Sequence, residues 1–159
     1  MKNAHLGSLE VSRIGLGAMT MAGTYTSEGA LDNAESIRTI HRAVDLGVTH
    51  IDTAEIYGPF LTEEIVGEAV KGRRDEVKIA TKFGLISHAG AGPGVTDSSP
   101  ANVKTAVEGS LKRLGTDHID LLYQHRVDPN TPIEDTSQAV ADLIAAGKVL
   151  HFGLSEASP

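Results

Sequence analysis

The chain has 159 residues, 14 Lys and Arg against 21 Asp and Glu, a net charge of −7 and 40% hydrophobic residues. That length suits one domain with its own core, and the lack of cysteine excludes a disulfide scaffold, a thiol nucleophile and any Cys-ligated metal. The acidic balance argues against phosphate-backbone binding, and no apolar run approaches the ~20 residues of a membrane helix. A cytoplasmic protein acting on small molecules is expected, with neither nucleic acid nor membrane as partner.

Leu6-Gly7-Ser8-Leu9 predicts a tight turn joining two short strands. Residues 13–17 form an apolar run ending in glycine, read as a strand. A helix is expected over 34–46, with Ile37, Ile40 and Val44 on one face and Gly47 as its stop. The β-branched run 48–52 predicts a strand, and 62–70 a helix with Ile65, Val66, Ala69 and Val70 on one side. Residues 77–81 form the next strand, followed by a Gly- and Ser-rich loop over 84–98. Ser99 as cap and Pro100 at the first helical position open a helix with the stripe Val103, Val107, Leu111 and Leu114. Residues 119–123 predict a strand. Thr131-Pro132-Ile133-Glu134 has the form of a capping box, opening a helix that buries Ile133, Val140, Leu143 and Ile144. Residues 149–154 are the last strand.

Strict alternation of strand and helix forces parallel strands joined by right-handed crossovers. An open doubly wound sheet and a closed (β/α)8 barrel both satisfy that order. The open sheet usually carries a dinucleotide fingerprint in its first turn. Here that turn reads Gly15-Leu-Gly17-Ala-Met-Thr20, with Thr20 where the third Gly or Ala belongs. Gly90-Ala-Gly92-Pro-Gly94-Val95 fails in the same way, and both stretches read as plain turns. In the barrel, strand starts recurring about every 34 residues would need roughly 250 residues for eight units. The chain is then a partial barrel of about five parallel strands and four helices with an N-terminal β-hairpin, leaving two sheet edges that a closed barrel lacks.

Reactive groups of parallel α/β folds gather at the C-terminal ends of the strands. Asp52 ends one strand, with Tyr57 five residues on; Lys82 follows the next; the fourth runs through Tyr123 to His125. This set suits carbonyl reduction, in which the oxygen develops alkoxide character and must be protonated. A free phenol, with an ordinary pKa of about 10, is a sluggish acid at neutral pH, but an ammonium beside it stabilises the phenolate. Tyr57 is thus the candidate proton donor, Lys82 its candidate assistant, Asp52 a group that could hold Lys82, and His125 one that could hydrogen-bond the carbonyl oxygen, although singly each residue type is more often structural. No side chain carries hydride, so a nicotinamide or flavin cofactor is required. His50-x-Asp52 with His125 would be an alternative metal set, but Lys82 beside it would repel a cation. There is no Gly-x-Ser-x-Gly elbow for a nucleophilic serine. Lys71, Arg73 and Arg74 read as a solvated face.

Asp52-Thr-Ala-Glu-Ile-Tyr57-Gly, Ala80-Thr-Lys82-Phe-Gly84, Leu111-Lys-Arg-Leu-Gly115, Asp120-Leu-Leu-Tyr-Gln-His125-Arg-Val-Asp-Pro129 and Gly153-Leu-Ser155-Glu156-Ala157 occur in order at fitting intervals. Together they resemble the aldo-keto reductase family over the whole chain. The resemblance implies a (β/α)8 barrel and NADPH-dependent reduction of aldehydes and ketones, with the catalytic tetrad at Asp52, Tyr57, Lys82 and His125. It also implies cofactor contacts around Gly17 and Met19, at Asp52, and at Ser155, whose hydroxyl would meet the carboxamide. Glu156 stands beside it where many members carry Asn. Members of the family are about twice this length, and the barrel rule puts the phosphate site after strands seven and eight. Two readings follow for residues 1–159. One is an NADP-dependent reductase acting on a small carbonyl substrate, intact here or completed by a missing C-terminal half. The other is an inactive half-barrel, or an assembling or regulatory subunit, with an expected tendency to self-associate through its edges.

Overall fold

A computed structural model describes residues 1–23, 31–86, 89–92 and 94–158. The chain opens with an antiparallel hairpin, β1 (Asn3–Leu6) and β2 (Leu9–Ser12), closed by the expected two-residue turn with Gly7 at φ 61°. Next come β3 (Leu16–Gly17), α1 (Asn33–Asp45), β4 (His50–Asp52) and α2 (Leu61–Ala69). They are followed by β5 (Lys78–Phe83), α3 (Pro100–Leu114), β6 (Leu121–Gln124), α4 (Ile133–Ala145) and β7 (Phe152–Leu154). The five later strands make one parallel sheet in the order β3-β4-β5-β6-β7. Every strand therefore pairs with its neighbour in sequence, and α1 to α4 pack one on the next.

Parallel partners share a face, so the register separates two surfaces. Ile51, Ile79, Phe83 and Leu122 point to the helices and join Val66, Val103, Val107, Leu114 and Val140 in the main core. The other face carries Asp52, Ala80, Lys82, Leu121, Tyr123 and Gly153. Leu9 and Val11 of the hairpin pack there on Ala80, Leu121 and Tyr123, plugging the end of the sheet at which the strands begin.

The helix starts follow local chemistry. Asp32 caps α1 by accepting from the Glu35 N–H, and Ser99 caps α3 through the Asn102 N–H ahead of Pro100. The α4 start departs from the expected capping box. Its N-cap is Pro132, which makes no side-chain cap bond. The Thr131 hydroxyl instead donates to the buried Asp128 carboxylate at 2.9 Å, which also accepts from Ser98 and Asn130 N–H groups. In α4, Val140 and Leu143 are buried as expected, but Ile133 and Ile144 are exposed, because the burying stripe is narrower than the sequence suggests. The loop over 84–98 is clipped by an antiparallel bridge between Leu85 and Thr96; its residues 87, 88 and 93 lie outside the described set.

Arg74 also departs from the solvated-face reading. Its guanidinium donates to Asp120 at 2.5 Å, to the His118 and Val77 carbonyls and to the Thr116 hydroxyl, and Asp120 is fully buried. Arg73 meets the expectation better, pairing with Asp45 and Glu76 at the surface.

The α2–α3 contact depends on Gly67. A Cβ there would lie 2.5 Å from the Arg113 carbonyl oxygen and 2.9 Å from Leu114 backbone atoms. Gly67→Ala gains about 1 kcal/mol of helix propensity but forces two backbones apart, at a cost of about 1–3 kcal/mol. A net loss of stability is expected, read as a lowered urea midpoint.

Candidate active site

The C-terminal ends of β4, β5 and β6 bring four of the sequence-selected residues together. Lys82 is buried to 8% exposure, and its ammonium spends its three protons on three acceptors. They are Asp52 Oδ1 at 2.5 Å, the Thr53 carbonyl at 2.9 Å and the Tyr57 hydroxyl oxygen at 3.4 Å. His125 follows β6, its N–H bonded to the Phe83 carbonyl at 3.0 Å. Its ring meets Tyr57 edge to face, with centroids 5.7 Å apart and planes at 84°. Burial, reinforced by Lys82 and Arg126, pushes the His125 imidazole down to about 4. It is therefore neutral at pH 7, with Nδ1 buried and without a hydrogen-bond partner among the described residues.

The residues selected for the cofactor stand on the same rim. Gly17 ends β3 beside Asp52, and a Cβ there would meet nothing within 4 Å. Met19 lies in the short 3-10 turn that follows. Ser155 stands just past β7, its N–H on the Gln124 carbonyl at 3.0 Å and its hydroxyl 3.4 Å from Arg126 Nη1. Glu156, with φ 54°, pairs with Arg126 at 3.1 Å. His50 is half-buried on β4, its Nε2 without a hydrogen-bond partner among the described residues. Among the described residues no group of three or more His, Asp and Glu is gathered closely enough to hold a metal ion.

Behind Tyr57 lies a network that sequence reasoning missed. Phe60 caps α2 in the left-handed region at φ 69°, with the Arg113 guanidinium 4.2 Å from its ring centroid. Arg113 binds the fully buried Glu63 at 2.6 Å, and Glu63 accepts from the Thr81 hydroxyl at 2.6 Å. One signal was present. Thr81 alternates onto the helix-facing side of β5 among apolar residues, and a buried hydroxyl there needs a partner. Glu55, also buried, accepts from the Gly84 N–H at 3.2 Å.

Glu55 and His125 bend the pH dependence of stability in opposite senses. Burial pushes the Glu55 carboxyl from 4.5 up to about 7. The native state then keeps a proton that the unfolded chain loses, so this contribution is full below pH 4.5 and is lost as pH rises through about 7. The His125 contribution is full above pH 6.5 and is lost as pH falls through about 4. Between these limits the two offset. Glu55→Gln removes the first alone. The unfolding free energy of wild type relative to this variant is expected to fall by about 3 kcal/mol between pH 4.5 and 7. Parallel urea titrations over that range check it, and a constant difference would count against the assignment.

A sequence model of the aldo/keto reductase family matches residues 13–159. The chain is 43% identical over 151 residues to a probable aldo-keto reductase 1 of Glycine max, covering 94% of this chain and 43% of that protein. The holo form of an aldo-keto reductase from Bacillus halodurans superposes with a TM-score of 0.87 at 36% identity, over 98% of this chain and 50% of that one. An aldo-keto reductase from Klebsiella pneumoniae in complex with NADPH gives a TM-score of 0.78 at 32% identity, over 94% and 47%. The chain thus spans about half the length of the relatives it matches. Its five-stranded arc, four helices and hairpin correspond to half of a (β/α)8 barrel, and the chain belongs to the aldo/keto reductase family.

Proposed function

We propose that this site reduces aldehydes and ketones to alcohols with NADPH, with Tyr57 as proton donor assisted by Lys82, Asp52 and His125. The observation that carries the reading is how Lys82 distributes its protons. Because its ammonium donates to the Tyr57 oxygen, the phenolic O–H is directed away from Lys82 and is free to protonate a bound oxygen. NADPH, when bound, supplies the hydride that the carbonyl carbon gains. Tyr57 gives its proton to the carbonyl oxygen, and the Lys82 ammonium stabilises the phenolate left behind. Asp52 and the Thr53 carbonyl fix that ammonium in place. Neutral His125 adds no competing charge and offers one ring N–H to orient the carbonyl oxygen.

The rim residues fit the nicotinamide end of the cofactor. The open space at Gly17 admits a flat ring close to the backbone, beside Met19 and Asp52. The Ser155 hydroxyl is a donor for a carboxamide, and Glu156 borders it through its pair with Arg126. Support comes also from the relative in complex with NADPH.

The test is a fluorescence titration of NADPH into the purified chain, with NADH and Lys82→Ala as controls. Saturable binding followed by turnover of simple aldehydes is the expected result. No binding up to millimolar cofactor would sink the reading for this chain and favour the second one, a non-catalytic assembling subunit. The exposed apolar side chains Ile133 and Ile144 of α4, Leu150 ahead of β7 and Leu154 at its end favour that alternative. It predicts concentration-dependent association in sedimentation.

A further inference from the structure

A second reactive pair stands at the opposite end of the sheet from Tyr57 and Lys82, where the strands begin. His151 immediately precedes β7 and is half-buried. Its Nδ1 lies 2.9 Å from the Asp120 carbonyl oxygen, just ahead of β6, and its Nε2 lies 3.2 Å from the Ser8 hydroxyl oxygen. Ser8 is exposed in the turn between β1 and β2. The pair is 143 positions apart in sequence, so the fold brings it together without a nucleophile motif.

The partners fix the tautomer of the ring. A carbonyl oxygen only accepts, so His151 Nδ1 carries the hydrogen and donates it to Asp120. In the neutral imidazole Nε2 then has a lone pair and no hydrogen, and it accepts from the Ser8 hydroxyl. A hydroxyl on a base, with the base oriented by a third group, is the arrangement of an activated nucleophile.

Both members are held in place. The His151 carbonyl accepts from the Leu122 N–H at 2.9 Å. Leu9 and Val11 pack on Ala80 and Leu121, which pins the hairpin that carries Ser8 over the strand starts. The Ser8 N–H has no hydrogen-bond partner among the described residues, leaving a backbone donor beside the hydroxyl for the oxygen of a reacting carbonyl.

We propose that Ser8 and His151 are a nucleophile and its general base, and that they take the acyl group of small activated carboxylic esters, such as aryl esters of short acids, arriving from solvent. Ser8 Oγ bonds to the carbonyl carbon while His151 Nε2 takes the hydroxyl proton. The bond from that carbon to the alcohol oxygen then breaks, and the leaving alcohol takes the proton from His151. Water attacks the acyl-Ser8 by the same route and gives the acid and free Ser8. No hydride and no cofactor take part, so the proposal is independent of the reading of Tyr57.

The test is labelling of the purified 159-residue chain with an alkyl fluorophosphonate, from which Ser8 Oγ displaces fluoride at phosphorus. Tandem mass spectrometry locates the adduct. The expected result is an adduct on Ser8 ahead of the other serines of the chain, and none in its place in Ser8→Ala. His151→Gln, which keeps a donor for the Asp120 carbonyl, is expected to slow the labelling by about 10²-fold or more, the range for loss of a general base. Para-nitrophenyl acetate should then leave its acetyl group on Ser8 in wild type and not in His151→Gln. No preference for Ser8 in wild type, or labelling of His151→Gln at the wild-type rate, overturns the proposal and leaves the pair as a latch between hairpin and sheet. Neither reagent reports on NADPH, so failure here leaves the Tyr57 reading standing, and a chain that does not reduce aldehydes still decides the role of Ser8.

Discussion

Tyr57→Phe is expected to lower kcat for a simple aldehyde by about 10²- to 10⁴-fold, the range for loss of a positioned general acid, with NADPH affinity unchanged. The substitution removes only the hydroxyl. Lys82 keeps Asp52 and the Thr53 carbonyl, so the ammonium stays where it is. Among the described residues Tyr123 is the other phenol on the same face, but it cannot stand in. Burial, with Asp52 nearby, pushes it above its ordinary range, and its ring lies against Gly153, where a Cβ would come within 2.5 Å. Lys82→Met should cost at least as much, since it strips the phenolate of its counter-charge and leaves Asp52 unpaired. NADPH consumption followed against pH separates the cases, and a Tyr57→Phe protein as fast as wild type would rule out Tyr57 as the donor.

Arg74→Met should destabilise the fold by about 3–5 kcal/mol, the cost of breaking a buried ion pair from one side. Asp120 is fully buried, and its Oδ2 takes both Arg74 and the Ile79 N–H at 3.0 Å. Arg74 adds bonds to the His118 and Val77 carbonyls and Thr116. Together these fasten the start of β5 to the approach to β6. Lys78, at 3.5 Å from Asp120 Oδ1, is 40% exposed and offers only partial replacement. Arg73→Met is the matched control, its carboxylate partners being half exposed, and its loss should be much smaller. Urea denaturation of the two variants side by side decides. Equal losses would mean that Lys78 takes over the buried charge.

The strand–helix order was legible because each unit carries its own punctuation: Gly47, Gly115 and Gly147 after helices, Ser99-Pro100 before one, β-branched runs between. The grouping of Asp52, Tyr57, Lys82 and His125 was legible because parallel strands deliver their C-terminal ends to one rim. What the sequence hid was pairing at a distance. Arg74 has the neighbours of a surface residue, Lys71 and Arg73, and only the position of Asp120, 46 residues on, makes it a brace. Glu55 and Glu63 look like ordinary surface carboxylates until Gly84, Thr81 and Arg113 are packed around them. The Thr131 capping box failed because Asp128, three residues earlier, competes for the same hydroxyl. Periodicity fixes which way a side chain faces, not whether another element comes to cover it, which is why Ile133 and Ile144 were misjudged.

The sequential strand order has a consequence for how the molecule forms. Each strand of the parallel sheet docks on the one made just before it, and each helix on its predecessor, so every pairing closes one crossover of similar length and none spans the whole sheet. Growth can proceed one strand and one helix at a time, without rearranging what is already in place. Such a stack protects its middle most. Amide hydrogen exchange should be slowest along β5, which has a partner on both sides, and quicken outward to β3 and β7.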